Sequence, residues 1–159
     1  MDQVPFAKMS GSGNDFILID NRSRVLQESK LAAFIAGVCR RRLSAGADGV
    51  ILIEASETAD FRWRFFNSDA SPAEMCGNGA RCAARFAFLQ GICGARLRFE
   101  TGAGRVEAQV EGMRVKVKMP DPQDLRVIGW TRGEGLEIDG LTSDSRGQQG
   151  FGESFCMAF

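Results

Sequence analysis

A chain of 159 residues, 44% of them hydrophobic, is long enough for one ordinary domain or two small lobes and can bury a core. Twenty Lys and Arg offset twenty Asp and Glu, which argues against the basic excess of a nucleic-acid or membrane-surface binder. Five cysteines in no framework spacing, with no histidine, argue against a disulfide scaffold, remove the usual general base and predict a reducing, cytoplasmic setting. The opening MDQVPFAKMS does not read as a secretory leader, and no apolar run approaches a membrane span.

PFAKM and FILID read as strands joined by the glycine loop SGSGND. SKLAAFIAGVCRRR reads as an amphipathic helix capped by Ser29, with Leu31, Phe34, Ile35 and Val38 at helical spacing. Arg40, Arg41 and Arg42 read as its solvated end. LSAGADG is expected as a loop and VILIE as a short buried strand. In FRWRFF, Phe61, Trp63 and Phe65 face one way, Arg62 and Arg64 the other. NSDASPAEMCGNG reads as a long polar loop and ARCAARFAFLQ as a helix closed by Gly91. That helix is apolar on nearly every side apart from Arg81 and Arg85. It is therefore expected at the centre of the core, with Phe86, Ala87 and Leu89 buried.

ARLRFE, GRVEAQV and MRVKVKM all alternate, with turns at TGAG and at Glu111-Gly112. Leu97, Phe99, Val106, Ala108, Val110, Val115, Val117 and Met119 are expected on their inner face. PDPQD reads as a linker and LEIDGLT as a hairpin turning at Asp139-Gly140. From Ser143 onward no helical or strand period remains. The fold class expected is α+β, a mostly antiparallel curved sheet wrapped around a buried central helix.

The stretch SPAEMCGNGARC places Cys76 against Gly77, Asn78 and Gly79, where a helix begins. A helix start presents unpaired N–H groups and the positive end of the macrodipole, so an anion there is stabilised and a thiol yields thiolate more readily. The glycines let backbone amides approach a carboxylate. Thiolate beside bound carboxylate suits proton transfer at the adjacent carbon. A buried structural cysteine is the competing reading, and it is the one expected for Cys39, Cys82, Cys93 and Cys156. Cys76, Cys82 and Cys93 lack the short paired spacing of a metal site, so no metal is expected. GSGND and TGAG lack the nucleotide fingerprint. Read alone, Asn14 and Asn67 are turn residues as readily as ligand groups.

MSGSGNDFILID, GADGVILIE, RFFNSDASPAEMCGNGARCAARF and FETGAGRVEA occur in the order and spacing of the diaminopimelate epimerase motifs, and the chain resembles that family from about Phe6 to Gly140. The resemblance implies interconversion of LL- and meso-diaminopimelate, for lysine and peptidoglycan precursors, without pyridoxal phosphate or metal. Two cysteines, one from each of two similar lobes, act on opposite faces of the α-carbon. By that resemblance Cys76 is the acid/base of the first lobe, Asn14 and Asn67 bind substrate, and Gly77 and Asn78 hold the carboxylate. Some members have a substrate-contacting glutamine near GADG; here Gly49 stands in its place. The resemblance further implies a first lobe over residues 1–119, a linker and an atypical start of a second lobe over 120–159, and a homodimer. The second cysteine's context is not found, so the chain is expected to be incomplete and inactive alone. A non-catalytic amino-acid-binding or dimerisation domain is the alternative, and a hydrolase or transferase using Cys76 as nucleophile is a weaker one.

Overall fold

The computed structural model describes residues 3–119 and, beyond them, the backbone of three strands at 126–131, 135–139 and 152–158. β1 (Ala7–Gly11) and β2 (Asn14–Asp20) form a hairpin whose two turn residues, Ser12 and Gly13, have φ of 49° and 93°. Two left-handed residues in a two-residue turn match the right-handed twist of the strands. Helix α1 (Glu28–Val38) crosses over to β3 (Gly49–Glu54), which lies parallel to β2. β4 (Phe61–Asn67) returns antiparallel to β3, and a two-residue β5 (Pro72–Ala73) pairs with it inside the long polar loop. Helix α2 (Gly77–Leu89) follows, then the meander β6 (Arg96–Thr101), β7 (Gly104–Glu111) and β8 (Arg114–Lys118).

Alternation along β2 and β3 sorts side chains into two cores. Phe16, Leu18, Ile51 and Ile53 join Phe61, Trp63, Phe99, Val106, Val115 and Val117 around α2. Ile17, Ile19, Val50 and Leu52 pack instead against Leu31 and Ile35 of α1. VILIE is apolar throughout because its strand is covered on both faces. In α2, Gly79, Ala80, Cys82, Ala83, Ala84, Phe86 and Ala87 are all buried. The small side chains allow strands to close in from several directions, which is what an all-round apolar helix requires. The rings of Phe61 and Phe99 stack with centroids 4.8 Å apart, at the short parallel pairing of β4 with β6.

The expected inner face is buried from Leu97 to Val117, with Met119 half-buried at its margin. Three local expectations need correction. Leu89 is 52% exposed, because burial ends at Ala87 and the last turn of α2 projects past the core. Ser29 does not cap α1. The helix starts at Glu28, whose carboxylate meets the positive helix end and pairs with Arg64 of β4 at 2.7 Å. Arg41 is not merely a solvated helix end, since it bonds Asp15 and Asp48. LEID lies in β10 (Gly135–Asp139), which pairs antiparallel with β9 (Arg126–Thr131); the turn expected at Asp139-Gly140 reaches outside the described residues. The PDPQD linker lies outside the described residues.

The segment read as aperiodic contains β11 (Gly152–Ala158), paired antiparallel with β1 on one side and β8 on the other. With β3 pairing both β2 and β4, every strand of the nine-stranded sheet except β5 belongs to a closed circuit of pairings. Most of those pairings are antiparallel; β2–β3 and β4–β6 are parallel. The observed class is α+β, a curled mixed sheet around a buried central helix. The chain divides into two compact units, one comprising Met1–Met119 with Phe151–Phe159 and the other Pro120–Gly150. Among the described residues no helix is long and apolar enough to cross a membrane.

Candidate active site

The pairings that build the sheet also align the ends of its strands. Asn14 begins β2 and pairs with Gly11, Gly49 begins β3, and Asn67 ends β4 opposite Gly49. The N-terminal turn of α2 docks at this end. A Cβ on Gly11 would lie 2.8 Å from the Asn78 carbonyl oxygen, and one on Gly79 would lie 3.1 Å from Ile51 Cδ1. At Gly11 the added carbon would press on backbone, and at Gly79 the end of the Ile51 side chain would have to give by a few tenths of an ångström.

Cys76 is the N-cap of α2. Its backbone is extended (φ −152°, ψ 116°), and its Sγ accepts the Gly79 N–H at 3.5 Å. The Cys76 carbonyl accepts from Ala80 at 2.8 Å. Helix geometry leaves the N–H groups of Gly77 and Asn78 without an i−4 carbonyl inside the helix. A half-exposed thiol and two outward amides therefore share one helix end.

The amide of Asn78 donates to Asn14 Oδ1 at 2.7 Å, and the Asn14 amide donates to Asp48 Oδ2 at 3.2 Å. Arg81, one turn along α2, donates to Asn78 Oδ1 and to Ser12 Oγ. Asp48 also accepts from the Asp15 N–H and from Arg41. Asn14, Gly77, Asn78 and Cys76 are thus brought together. Asn67 shares the same sheet end, but its amide donates to Ser71 Oγ at 3.0 Å, within its own loop. Asp48 and Arg81 were not singled out from the sequence as site residues. A lone carboxylate closing the GADG loop just before a buried strand, and a lone arginine in the first turns of an apolar helix, were the available signals.

On the α1 side of the same hairpin, Asp15 pairs with Arg41 at 2.6 Å and Lys8 at 3.2 Å. Burial raises the Asp15 carboxyl, but these two cations outweigh it and hold it below the usual range. The remaining described cysteines differ from Cys76. Cys82 is buried within α2. Burial pushes the buried Cys39 thiol up, with Asp48 and Asp15 adding to the effect. Burial, with Asp60 adding, pushes half-buried Cys93 up to about 11.

A helix threaded through a curled sheet is a fold that this chain shares with several solved structures. The phenazine biosynthesis protein of the PhzF family from Bacillus anthracis superposes with a TM-score of 0.62 at 20% identity, over 80% of this chain and 44% of its own. The probable proline racemase from Agrobacterium radiobacter K84 gives a TM-score of 0.62 at 15% identity, over 86% and 48%. Identities this low speak to the fold alone. Sequence similarity is more specific. The model of the diaminopimelate epimerase family matches residues 6–124, and the chain belongs to that family. It is 49% identical to the diaminopimelate epimerase of Aquifex aeolicus over 130 residues, 75% of this chain and 46% of the relative. It is 46% identical to that of Archaeoglobus fulgidus over 125 residues, 76% and 45% respectively. The chain spans about half the length of these relatives.

Proposed function

We propose that this chain supplies the first-lobe half of a diaminopimelate epimerase, with Cys76 as an acid/base thiol. The observation that carries the reading is the placement of Cys76 as the N-cap of α2, directly before Gly77 and Asn78, in a chain of this family. The α-carboxylate of the substrate would sit on the outward amides of Gly77 and Asn78, and the side chains of Asn14, Asn67 and Asn78 would bind its polar groups. Cys76 thiolate takes the α-proton, forming S–H, and the C–H electron pair stays on the α-carbon. Amides aimed at the carboxylate stabilise the charge that spreads onto it. Inversion then needs a second acid on the opposite face, because a lone thiol returns the proton to the face it left. In the two-cysteine mechanism this is a second thiol from a second lobe; residues 1–119, whose sheet β11 joins, would form the first lobe, and the segment from 120 would carry the link toward the second. Neither pyridoxal phosphate nor a metal is required. The substrate is a small amino acid, the setting cytoplasmic, and the working assembly would pair two copies.

The test is α-proton exchange. The 159-residue chain is incubated with LL-diaminopimelate in D2O, deuterium incorporation is read by NMR, and stereochemistry is read by chiral chromatography. The expected result is washout that depends on Cys76, without net inversion. Exchange that survives Cys76→Ala, or inversion at an enzymatic rate, would overturn the assignment. Binding of diaminopimelate without exchange would instead favour a non-catalytic amino-acid-binding domain.

A further inference from the structure

The bonds around Asn14 and Asn78 form a line with a charged group at each end. Asp48 can only accept, and Arg81 can only donate. Asp48 therefore draws the NH2 of Asn14 toward itself and turns Asn14 Oδ1 toward α2. Arg81 draws Asn78 Oδ1 toward itself and turns the Asn78 NH2 toward Asn14. The two amides then meet donor to acceptor at 2.7 Å. The polarity follows from the charges at the ends, so neither amide can flip alone without setting donor against donor or acceptor against acceptor. Asp48 is itself fixed. Its backbone N–H donates to the Asp15 carbonyl at 2.8 Å, its Oδ2 accepts the Asp15 N–H at 3.1 Å, and its Oδ1 accepts from Arg41 at 2.8 Å.

We infer that Asp48 is a positioning residue that sets the orientation of Asn14 and, through it, of Asn78. Asp48 bonds Asn14, which in turn accepts from Asn78, so it acts through the asparagines. Each amide spends one N–H in the line and keeps the second for a ligand, and the line decides where that second N–H points. Its consequence for ligand binding rests on the proposed reading of Asn14 and Asn78 as substrate-binding groups.

The experiment uses the full 159-residue chain, labelled with 15N. In the wild type, one hydrogen of each of the Asn14 and Asn78 amides should exchange with solvent markedly more slowly than its geminal partner. Equal exchange of both hydrogens would overturn the line without any variant having to fold. In Asp48→Ala, the side-chain signals of Asn78, which does not touch Asp48, should move together with those of Asn14, while those of Asn67 stay in place. In Asp48→Asn, whose amide oxygen can still accept, the Asn78 signals should return to the wild-type position. Asn78 signals unmoved in Asp48→Ala would overturn the inference. Diaminopimelate is then titrated into each chain. About tenfold weaker binding in Asp48→Ala, largely restored in Asp48→Asn, is expected. Equal affinity in Asp48→Ala would overturn the positioning role in binding. Absence of binding in the wild type would instead sink the proposed function and leave the line of bonds to stand on its exchange and spectral tests.

Discussion

The close approach of β1 to α2 makes Gly11→Ala a quantitative test of how the site is held. The added Cβ would lie 2.8 Å from the Asn78 carbonyl oxygen and 3.0 Å from Cys82 Sγ. Comfortable contacts begin near 3.5 Å, so the first turns of α2 must retreat by roughly 0.5 Å. The nearest atom is backbone, which cannot rotate away, and overpacking of this kind costs about 1–3 kcal/mol. An opposing effect is present. Gly11 is not among the left-handed glycines, so alanine fits its backbone and stabilises by about 0.4–1 kcal/mol through the unfolded chain. From the middle of each range the net loss is about 1.3 kcal/mol, or about 3–5 °C in Tm.

The control is Gly37→Ala. Gly37 lies in α1 with nothing within 4 Å of the added carbon. There alanine should stabilise by up to about 1 kcal/mol through helix propensity. Urea melts of both variants followed by far-UV circular dichroism separate the two effects. A Gly11→Ala chain as stable as wild type would refute the steric argument. A Gly37→Ala chain destabilised to the same degree would show that the loss is not specific to the β1–α2 contact. The same retreat should also disturb the 2.7 Å Asn78–Asn14 bond, seen as a shift of both side-chain amides.

Proline at Ser154 would remove a backbone donor from a strand flanked on both sides, where Ser154 pairs with Val115. It should cost about 3 kcal/mol; an unchanged urea midpoint would show that β11 does not close the sheet. Cys93, pushed up to about 11, favours the folded state while it stays protonated. That contribution is full below the ordinary thiol value of 9.0 and is lost as pH rises to about 11, because the unfolded thiol ionises first. Stability of the wild type should therefore fall across that window more steeply than that of Cys93→Ala, and parallel curves would contradict this. Alkylation by iodoacetamide at neutral pH, mapped by peptide mass, should modify half-exposed Cys76 before Cys93 and before buried Cys39 and Cys82. Modification of Cys82 at the rate of Cys76 would show that α2 is not held inside the sheet.

The core was legible because its signals are local. Alternation in FRWRFF and in the three-strand meander places Phe61, Trp63, Phe99 and Val106 inward whatever partners they find. The all-round apolar face of α2 announced a surrounded helix for the same reason. What failed depended on distant partners. Glu28, in the first turn of α1, pairs with Arg64, 36 residues away in sequence. β11 is a strand because β1 and β8 offer unpaired edges on either side of it, a property of the neighbours rather than of GESFCMA. Around the candidate site, Cys76, Gly77 and Asn78 are contiguous and could be read as a group. The polarity that Asp48 and Arg81 impose on the asparagines is a three-dimensional fact, joining residues 34 and 64 positions apart.

The glycines of this region mean something different from what their loops first suggest. SGSGND, GADG and CGNG look like flexible segments, yet Gly11, Gly49 and Gly79 are not in left-handed conformations. What each supplies is the absence of a side chain at a point of close approach. A Cβ on Gly11 would strike the Asn78 carbonyl, and one on Gly49 would lie 2.4 Å from the Phe66 carbonyl oxygen. One on Gly79 would press on Ile51 and Trp63. Together they let β3 close on β4 and let the start of α2 sink into the sheet end, where Asn78 comes within reach of Asn14. Any side chain at Gly49 would require the β3–β4 backbones to separate. At this sheet end the structure sets two side-chain amides, Asn14 and Asn78, in fixed orientation between Asp48 and Arg81.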